Sequence, residues 1–347
     1  PCLLPYTSGT TGAPKGCVHH HGSIMHNAVA SWHWINGDPE SVMLAVLPLF
    51  HITGLVCVMH GTLFGGGTLV ILPRWQRDLA SHLIEKEGIS HWLCIPTMVV
   101  DLLASPDLER YDLSQLAFIG GGGAAMPEAV AERLKDTYGL NFVEGYGLTE
   151  TSGPTHMNPC HRPKLQCLGI PFMSTDVKVL DPDTREECAD NQPGEIAICG
   201  PQVFQGYWHN DEATAKSFLY IGGRKYFLTG DLGRRDGDGY FYITDRIKRM
   251  INASGFKVWP AEVENLLFRH PGIQEACVVG SQDAYRGETV RAVVVRRPAQ
   301  PGLDADTLIN WCRENMAAYK VPKIVDFVDA LPKNGSGKIM WREVQDL

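Results

Sequence analysis

The sequence predicts an α/β protein in which a larger N-terminal part precedes a small α+β domain. From residue 1 to about 180, short apolar runs alternate with helical patterns, the order that builds a mostly parallel sheet. From about 170 to 245, short strands and turns follow one another and indicate a β-rich subdomain. The pattern then changes to mixed helices and strands. We therefore predict one domain over residues 1–245 and a second over residues 246–347.

The first part is built from alternating buried strands and amphipathic helices. The segment DLASHLIEKEG has the apolar spacing of an amphipathic helix, and PEAVAERLKDTYG begins with Pro and ends with Gly, as helices often do. The segments read as strands are VMLAVLP, GTLVIL, HWLCIPT, LAFIGGGG and NFVEGYGLTE. Binding sites in such sheets lie beyond the carboxyl ends of strands, so the polar loops after the last two strands are candidates.

The middle and the end of the chain have other patterns. TDVKVLDPDT, GEIAICG and DGDGYFYITDR read as short strands, with DGDG marking a hairpin. The final part is read as the helices PAEVENLLFRHPG, ending at Gly272, and DADTLINWCREN, with the strands IQEACVVG, VRAVVVRR and KIVDFVDA. A cleft between the two domains is the natural place for a ligand.

The composition excludes several classes of protein. The 347 residues are 44% hydrophobic and 20% charged, with a formal net charge of −8, so a basic nucleic-acid groove is not expected. No apolar run approaches the roughly 18–20 residues of a membrane span, so no transmembrane segment is expected. The ten scattered cysteines include no CxxC, which indicates a reduced, cytoplasmic protein.

The segment YTSGTTGAPKG combines glycines, hydroxyls and one lysine in the manner of a phosphate-binding loop. It does not fit the Walker A motif, because Lys15 is followed by Gly16 where that motif needs Ser or Thr. Apolar residues on both sides predict two strands joined by the loop, and the run His19–His21 is read as a strand end and a turn. Glycine amides and hydroxyls can form an anion nest, but a hairpin without a ligand fits equally.

Four further segments carry groups suited to a nucleotide. In GYGLTE, Tyr146 can stack on a base and Glu150 can hold a hard cation through oxygen. The glycine run 120–123 lets backbone approach a planar ring. Asp231 follows a strand and can accept hydrogen bonds from ribose hydroxyls, and Lys338 is a point charge on a glycine-rich tip. Taken singly, each segment also fits an ordinary turn or loop.

Six motifs in this order resemble one family. They are YTSGTTGAPKG, LPLFHITG, GYGLTET, YFLTGDLGRRDGDGYF, DRIKRMINASGFKVWPAEVE and LPKNGSGKI, and they cover the chain from end to end. The chain resembles the adenylate-forming superfamily of acyl-CoA synthetases, luciferases and peptide-synthetase adenylation domains, most of all the medium- and long-chain fatty acyl-CoA ligases. The resemblance implies ATP-dependent activation of a carboxylic acid to an acyl-adenylate. Thioester formation with coenzyme A would follow, with release of AMP and pyrophosphate.

The same resemblance implies a nucleotide site. The phosphates of ATP would be held by Thr7, Ser8, Gly9, Thr10, Thr11, Gly12 and Lys15. Adenine and ribose would be held by Gly122, Gly123, Ala124, Tyr146, Asp231 and Arg246. Of the residues implied to be catalytic, Thr149 would contact the α-phosphate region and Glu150 would bind Mg²⁺.

Four more residues are implied to serve the two half-reactions. Lys338 would stabilise the negative charge that develops on the phosphoryl oxygens. Lys248 would be the hinge about which the C-terminal domain rotates between half-reactions. Gly255 would line a narrow path for the pantetheine arm of coenzyme A, although it also fits a turn. His51 would gate the acyl pocket, although it also fits a core histidine bonded to backbone.

The substrate and the completeness of the site stay open at this stage. The segment SHWLCIPTMVVDLLASP, which walls the acyl pocket in relatives, has no obvious charged anchor, which favours an aliphatic or aromatic acid over an amino acid. A fatty acid is the first expectation. The alternatives are an aryl or aryl-alkanoic acid CoA ligase, an acyl-AMP ligase that loads a carrier protein, and a phosphate-loop kinase, which the failed Walker spacing disfavours. Dimerisation is also open.

The position of the phosphate loop carries one further expectation. Family members have a sizeable portion before this loop, and here the loop begins near residue 6. A non-catalytic fragment that binds nucleotide without turnover is therefore a further alternative.

Overall fold

The computed structural model describes residues 1–7, 14–246, 249–253, 256–283, 287–298, 300–335 and 338–347. These residues form three sheets flanked by helices, the first of them mostly parallel. The predicted α/β class is confirmed, with its β-rich region and its small C-terminal α+β unit.

The largest sheet lies in the first half of the chain. Its strands are β1 (Val42–Ala45), β2 (Thr68–Ile71), β3 (His91–Cys94), β4 (Phe118–Gly121), β5 (Phe142–Leu148), β6 (Gly153–Met157) and β7 (Ile170–Pro171). They are ordered β2-β1-β3-β4-β5-β6-β7. The first five strands in this order are parallel, and β6 and β7 run antiparallel to their neighbours. The five strands predicted from the sequence are all present.

The helices of this half connect the strands. They are α1 (His21–Trp34), α2 (Gly61–Gly65), α3 (Arg77–Lys86), α4 (Pro96–Leu103) and α5 (Glu128–Tyr138). A π-helical segment, Thr53–His60, leads into α2, and 3₁₀ turns occupy Leu108–Arg110 and Thr149–Thr151. Helix α5 ends at Gly139, whose φ of +70° is the left-handed conformation that its glycine predicted. The π-helical segment has no counterpart in the sequence-based prediction.

The second sheet is antiparallel and follows directly. Its strands are β8 (Asp176–Leu180), β9 (Gly194–Cys199), β10 (Phe218–Ile221), β11 (Arg224–Arg235) and β12 (Phe241–Arg246), with helix α6 (Asp211–Lys216) before β10. The order is β10-β11-β9-β8, with β12 paired to β11. The DGDG turn closes the β11–β12 hairpin as predicted: the Asp236 N–H donates to the Tyr240 carbonyl at 2.8 Å, and Gly239 has a φ of +84°.

The third sheet belongs to the C-terminal unit. It contains β13 (Ile251–Ala253), β14 (Phe256–Val258), β15 (Ile273–Asp283), β16 (Gly287–Arg296) and β17 (Ile324–Phe327), flanked by α7 (Pro260–Leu267), α8 (Ala305–Asn315) and α9 (Trp341–Gln345). Two apolar clusters, one around Val278 and one around Val293, are built entirely from residues 251–344. The other apolar clusters of the described residues are built from residues before 242.

Two local predictions are wrong. Helix α7 ends at Leu267 rather than at Gly272, because a turn in which the Ile273 N–H donates to the His270 carbonyl at 3.1 Å intervenes before β15. The histidine run was predicted as a strand end and a turn, but it follows an isolated bridge at His19 and leads into a helix. His20 caps α1 by accepting from the Ser23 N–H at 3.1 Å, so the helix begins at His21.

All ten cysteines are free thiols, and seven of them are buried. Among the described helices, none has the length and apolar character needed to cross a membrane.

Candidate active site

The opening loop is closed by a short antiparallel stem. Leu3 pairs with His19 and Tyr6 with Gly16, and the Thr7 N–H donates to the Lys15 carbonyl at 2.9 Å. The Lys15 N–H donates back to Thr7 Oγ1 at 3.1 Å. The stem consists of isolated antiparallel bridges rather than the two regular strands predicted, and this pairing differs from the strand-to-helix loop of a Walker A motif.

Thr7 and Lys15 are thereby placed at the two ends of the loop. The other predicted phosphate-binding residues, Ser8, Gly9, Thr10, Thr11 and Gly12, lie outside the described residues.

Lys15 and Glu150 are joined by a tyrosine that the sequence did not single out. The Lys15 ammonium lies 4.6 Å from the centroid of the Tyr207 ring, and the Tyr207 hydroxyl donates to Glu150 Oε1 at 2.7 Å. Burial, reinforced by the Glu150 charge, raises the pKa of Tyr207 above its usual range, so the phenol stays protonated and donates. Among the described residues, no hydrogen bond to the second Glu150 oxygen is found. That oxygen is the kind of ligand Mg²⁺ prefers.

Thr149 and Glu150 lie in a turn at the end of β5 that is held by several hydrogen bonds. The Leu148 N–H donates to Thr151 Oγ1 at 3.0 Å, and that hydroxyl donates to the Gly153 carbonyl at 2.7 Å. The Glu150 carbonyl accepts from the Phe204 N–H at 2.8 Å. The turn therefore presents Thr149 and Glu150 beside the Lys15 stem.

The glycine run after β4 lies directly against β5. A Cβ at Gly122 would be 2.2 Å from the Gly145 carbonyl oxygen, so only glycine fits there. Gly123 has a φ of +87°, in the left-handed region, and nothing lies within 4 Å of its Cβ position. Ala124 is exposed next to it. The loop thus offers open backbone beside β5, the strand that carries Tyr146.

Tyr146 and Asp231 form a buried pair. The Tyr146 hydroxyl donates to Asp231 Oδ2 at 2.6 Å, and the two residues are 9% and 1% exposed. The Asp231 N–H also donates to Thr229 Oγ1 at 3.1 Å. Arg246 lies opposite Asp231 in the β11–β12 register. The structure therefore brings the predicted base-stacking residue and the predicted ribose-binding residue together.

The charge of the C-terminal lysine acts on His51. Burial lowers the pKa of His51, and the positive charge of Lys338 lowers it further. The Lys338 N–H donates to Asn334 Oδ1 at 2.9 Å. The predicted hinge Lys248 and tunnel residue Gly255 lie outside the described residues.

Comparison with known proteins identifies the family. The sequence model described as "AMP-binding enzyme" matches residues 1–208, and its companion "AMP-binding enzyme C-terminal domain" matches residues 262–338. This chain belongs to the AMP-binding enzyme family. The chain is 39% identical to a long-chain-fatty-acid–CoA ligase of Bacillus subtilis and 40% identical to a feruloyl-CoA synthase of Amycolatopsis, in both cases over 99% of its own length.

The AMP-binding relatives are longer than this chain. It spans 61% of the Bacillus ligase and 69% of the Amycolatopsis synthase. Among solved structures, ATP-bound MatB from Rhodopseudomonas palustris superimposes with a TM-score of 0.92 at 32% identity, over 99% of this chain and 67% of MatB. The resemblance to the adenylate-forming superfamily is thus confirmed.

A bound Mg²⁺ fits the donor set of the site. Among the described residues, no group of three metal-ligating side chains is found. Mg²⁺ is commonly held by one or two carboxylates together with phosphate oxygens and water. Glu150, with one carboxylate oxygen fixed by Tyr207, matches that mode.

Proposed function

We propose that this chain activates a carboxylic acid with ATP to an acyl-adenylate and then transfers the acyl group to the thiol of coenzyme A. One observation carries the proposal: the Lys15 stem, the Thr149–Glu150 turn and the Tyr146–Asp231 pair converge at the end of β5. We assign the Lys15 stem to the phosphates of ATP, the Thr149–Glu150 turn to the metal and the Tyr146–Asp231 pair to the nucleoside.

In the first half-reaction the carboxylate oxygen attacks the α-phosphorus, and the bond to pyrophosphate breaks. Lys15 and the loop amides would hold the departing phosphates, and Asp231 would accept hydrogen bonds from the ribose hydroxyls. Mg²⁺, held by Glu150, supplies charge neutralisation on the phosphates when bound. The Lys338 ammonium would stabilise the charge that develops on the α-phosphoryl oxygens.

In the second half-reaction the thiol displaces AMP from the acyl-adenylate. We propose that residues 246–347 act as a lid that rotates about Lys248. Gly255 would then line the entry of pantetheine, because any larger side chain would fill a narrow path. Lys338 would leave the site in that pose.

The substrate we propose is a fatty acid, as the motifs of the C-terminal part first indicated. An aromatic acid is the second candidate, favoured by the 40% identity to a protein named feruloyl-CoA synthase. Both classes present one carboxylate on an apolar body, which suits a pocket gated by His51.

ATP–pyrophosphate exchange with a panel of acids tests the proposal. Medium- and long-chain fatty acids, ferulate-type acids and amino acids are compared on the 347-residue chain, with Asp231→Asn as the inactive control. Exchange driven by fatty acids supports the first candidate, and exchange driven only by aromatic acids supports the second. AMP binding without exchange for any acid supports the non-catalytic fragment and overturns the proposal.

A further inference from the structure

His19 lies at the junction between the phosphate-loop stem and the Thr149–Glu150 turn. Its side chain is fully buried. Its Nε2 lies 2.8 Å from the Thr149 carbonyl oxygen, and its Nδ1 lies 2.8 Å from Ser152 Oγ. These contacts join residues 130 and 133 positions apart in the chain.

The partners of His19 fix its tautomer. A carbonyl oxygen only accepts, so Nε2 carries the proton and donates to Thr149. The Ser152 hydroxyl, 2.8 Å from Nδ1, also lies 3.1 Å from the Gln202 carbonyl oxygen. Ser23, whose Oγ lies 3.3 Å from Nδ1, donates instead to the His20 carbonyl at 2.9 Å. The geometry therefore places a proton on Nε2.

Burial keeps this imidazole neutral. It lowers the pKa of His19 to about 4, against the opposing effect of the Thr149 hydrogen bond and with a small contribution from His20 in the same direction. His19 is thus a directional donor at neutral pH rather than a cation beside the ATP phosphates.

The bond to Thr149 acts directly on the peptide that leads into Glu150. Because a peptide unit is planar, a hydrogen bond that fixes the orientation of the Thr149 carbonyl also fixes the orientation of the Glu150 N–H in the same peptide group. It thereby fixes the direction in which the backbone continues into Glu150. The turn needs such support, since Ser152 has a φ of +57°, a conformation uncommon for residues other than glycine. Asn27 supplies a second anchor, its Nδ2 donating to the Thr151 carbonyl at 2.9 Å.

We propose that His19 is a positioning residue that aligns the metal-binding Glu150 with the phosphate loop. The inference rests on the proposed function. It adds to that function a positioning residue that lies outside the motifs proposed to contact ATP. His19 itself contacts no reacting atom in this assignment.

Two substitutions separate the two hydrogen bonds. The amide nitrogen of Gln in His19→Gln falls near the Nε2 position and can still donate to Thr149. The amide of Asn in His19→Asn falls near the Nδ1 position and can reach Ser152 but not Thr149. The neighbouring His21 is exposed at the start of α1, so His21→Asn is a matched control with the same chemical change.

Calorimetric titration of the full 347-residue chain with ATP, with and without Mg²⁺, measures the effect. Mg²⁺ should raise the affinity of the wild type for ATP. We expect this increase to be about tenfold smaller in His19→Asn, the scale of one lost buried hydrogen bond. Its affinity for metal-free ATP should change by less than about twofold, and His19→Gln should recover most of the Mg²⁺ gain. His21→Asn should match the wild type in both titrations.

The outcomes separate the inference from the proposed function. Failure of the wild type to bind ATP overturns the proposed function and the inference with it. Two outcomes overturn only the role of His19, provided that the wild type binds ATP. In one, Mg²⁺ raises the ATP affinity of His19→Asn as much as that of the wild type. In the other, His19→Asn loses the same factor of ATP affinity with and without Mg²⁺. If His19→Asn fails to fold, ¹⁵N NMR of the wild-type imidazoles decides: a neutral Nε2–H tautomer at pH 7 supports the inference, and an Nδ1–H tautomer or a charged ring overturns it.

Discussion

Among single residues, Lys338 carries the charge on which the proposed adenylation step depends most. Its positive charge lowers the pKa of His51, the residue proposed to gate the acyl pocket. We expect Lys338→Ala to slow adenylation by about 10²–10³, the effect of removing one preorganised electrostatic donor. Thioester formation from supplied acyl-adenylate should be retained, because Lys338 is proposed to leave the site in that step.

Measurements of pyrophosphate release and of single-turnover thioester formation check this. Lys333→Ala serves as the control, because Lys333 lies on the same loop but pairs with Glu275 at 2.6 Å. Pyrophosphate release near the wild-type rate in Lys338→Ala would show that this role is wrong.

Glu144 is a buried carboxyl just before Tyr146 and links the sheet to two loops. Its oxygens accept from the Met126 N–H at 2.6 Å and the Cys167 N–H at 2.9 Å. Burial raises the pKa of Glu144 from 4.5 to about 7, despite these hydrogen bonds. The native state therefore holds a proton that the unfolded state has lost between these pH values, and its stability must fall as pH rises through that window.

Glu144→Gln removes this titration. We expect the free energy of unfolding of the wild type, relative to Glu144→Gln, to fall between pH 4.5 and about 7 by up to about 1.4 kcal/mol per pH unit. Urea unfolding of both proteins at pH 5, 6 and 7.5 measures the difference. A constant difference across this range would show that Glu144 ionises normally.

Among the elements, the π-helical segment Thr53–His60 packs through Gly54 against the backbone of residues 47–48, just after β1. A Cβ at this position would lie 2.3 Å from the Pro48 carbonyl oxygen and 2.8 Å from that of Leu47. The Pro48 carbonyl also accepts the His51 N–H at 3.0 Å, so the same backbone sets the position of the proposed acyl gate. π-helical turns are often found at functional sites.

Gly54→Ala should therefore destabilise the protein by about 1–3 kcal/mol, the usual cost of overpacking, and raise the KM for the acid. Urea unfolding and initial-rate kinetics measure the two effects. Gly237→Ala is the matched control, since nothing lies within 4 Å of its Cβ position. Unchanged stability in Gly54→Ala would mean that the backbone of residues 47–48 yields easily.

On the scale of the whole molecule, the C-terminal unit has its own sheet and its own apolar clusters, as a rotating lid requires. Among the described residues, a hydrogen bond joins the two parts near the predicted boundary: the Ala261 N–H at the start of α7 donates to Asp245 Oδ2 at 2.6 Å. The fold therefore separates the groups proposed to bind ATP from the unit that carries Lys338.

The proposed second pose of this lid makes one further prediction. Gly255→Trp should slow thioester formation more than adenylation, because a large side chain would fill the path of pantetheine. Separate single-turnover assays of the two half-reactions, with Gly302→Trp as the control on the same unit, measure this. Nothing lies within 4 Å of the Gly302 Cβ position. Equal loss of both half-reactions would argue that Gly255 serves only as a turn residue.

Local sequence pattern determined the class of the fold and most of its elements. Apolar periodicity predicted the five parallel strands, and single residues predicted particular ends, as Gly139 did for α5 and DGDG for the β11–β12 hairpin. These signals are readable because they depend on neighbours within a few positions. The motif residues Tyr146, Glu150 and Asp231 were found for a related reason, since each stands in a short, distinctive segment.

Only the tertiary structure decided which distant groups support those residues. Tyr207 reaches Glu150 across 57 positions and His19 reaches Thr149 across 130, and no local pattern marks either partner. The histidine run looked like a strand end and a turn, yet its first member is a buried neutral donor, its second caps a helix and its third begins that helix. The different roles of these three histidines depend on the burial of His19 and on the position of the Thr149 carbonyl. Both are properties of the folded chain.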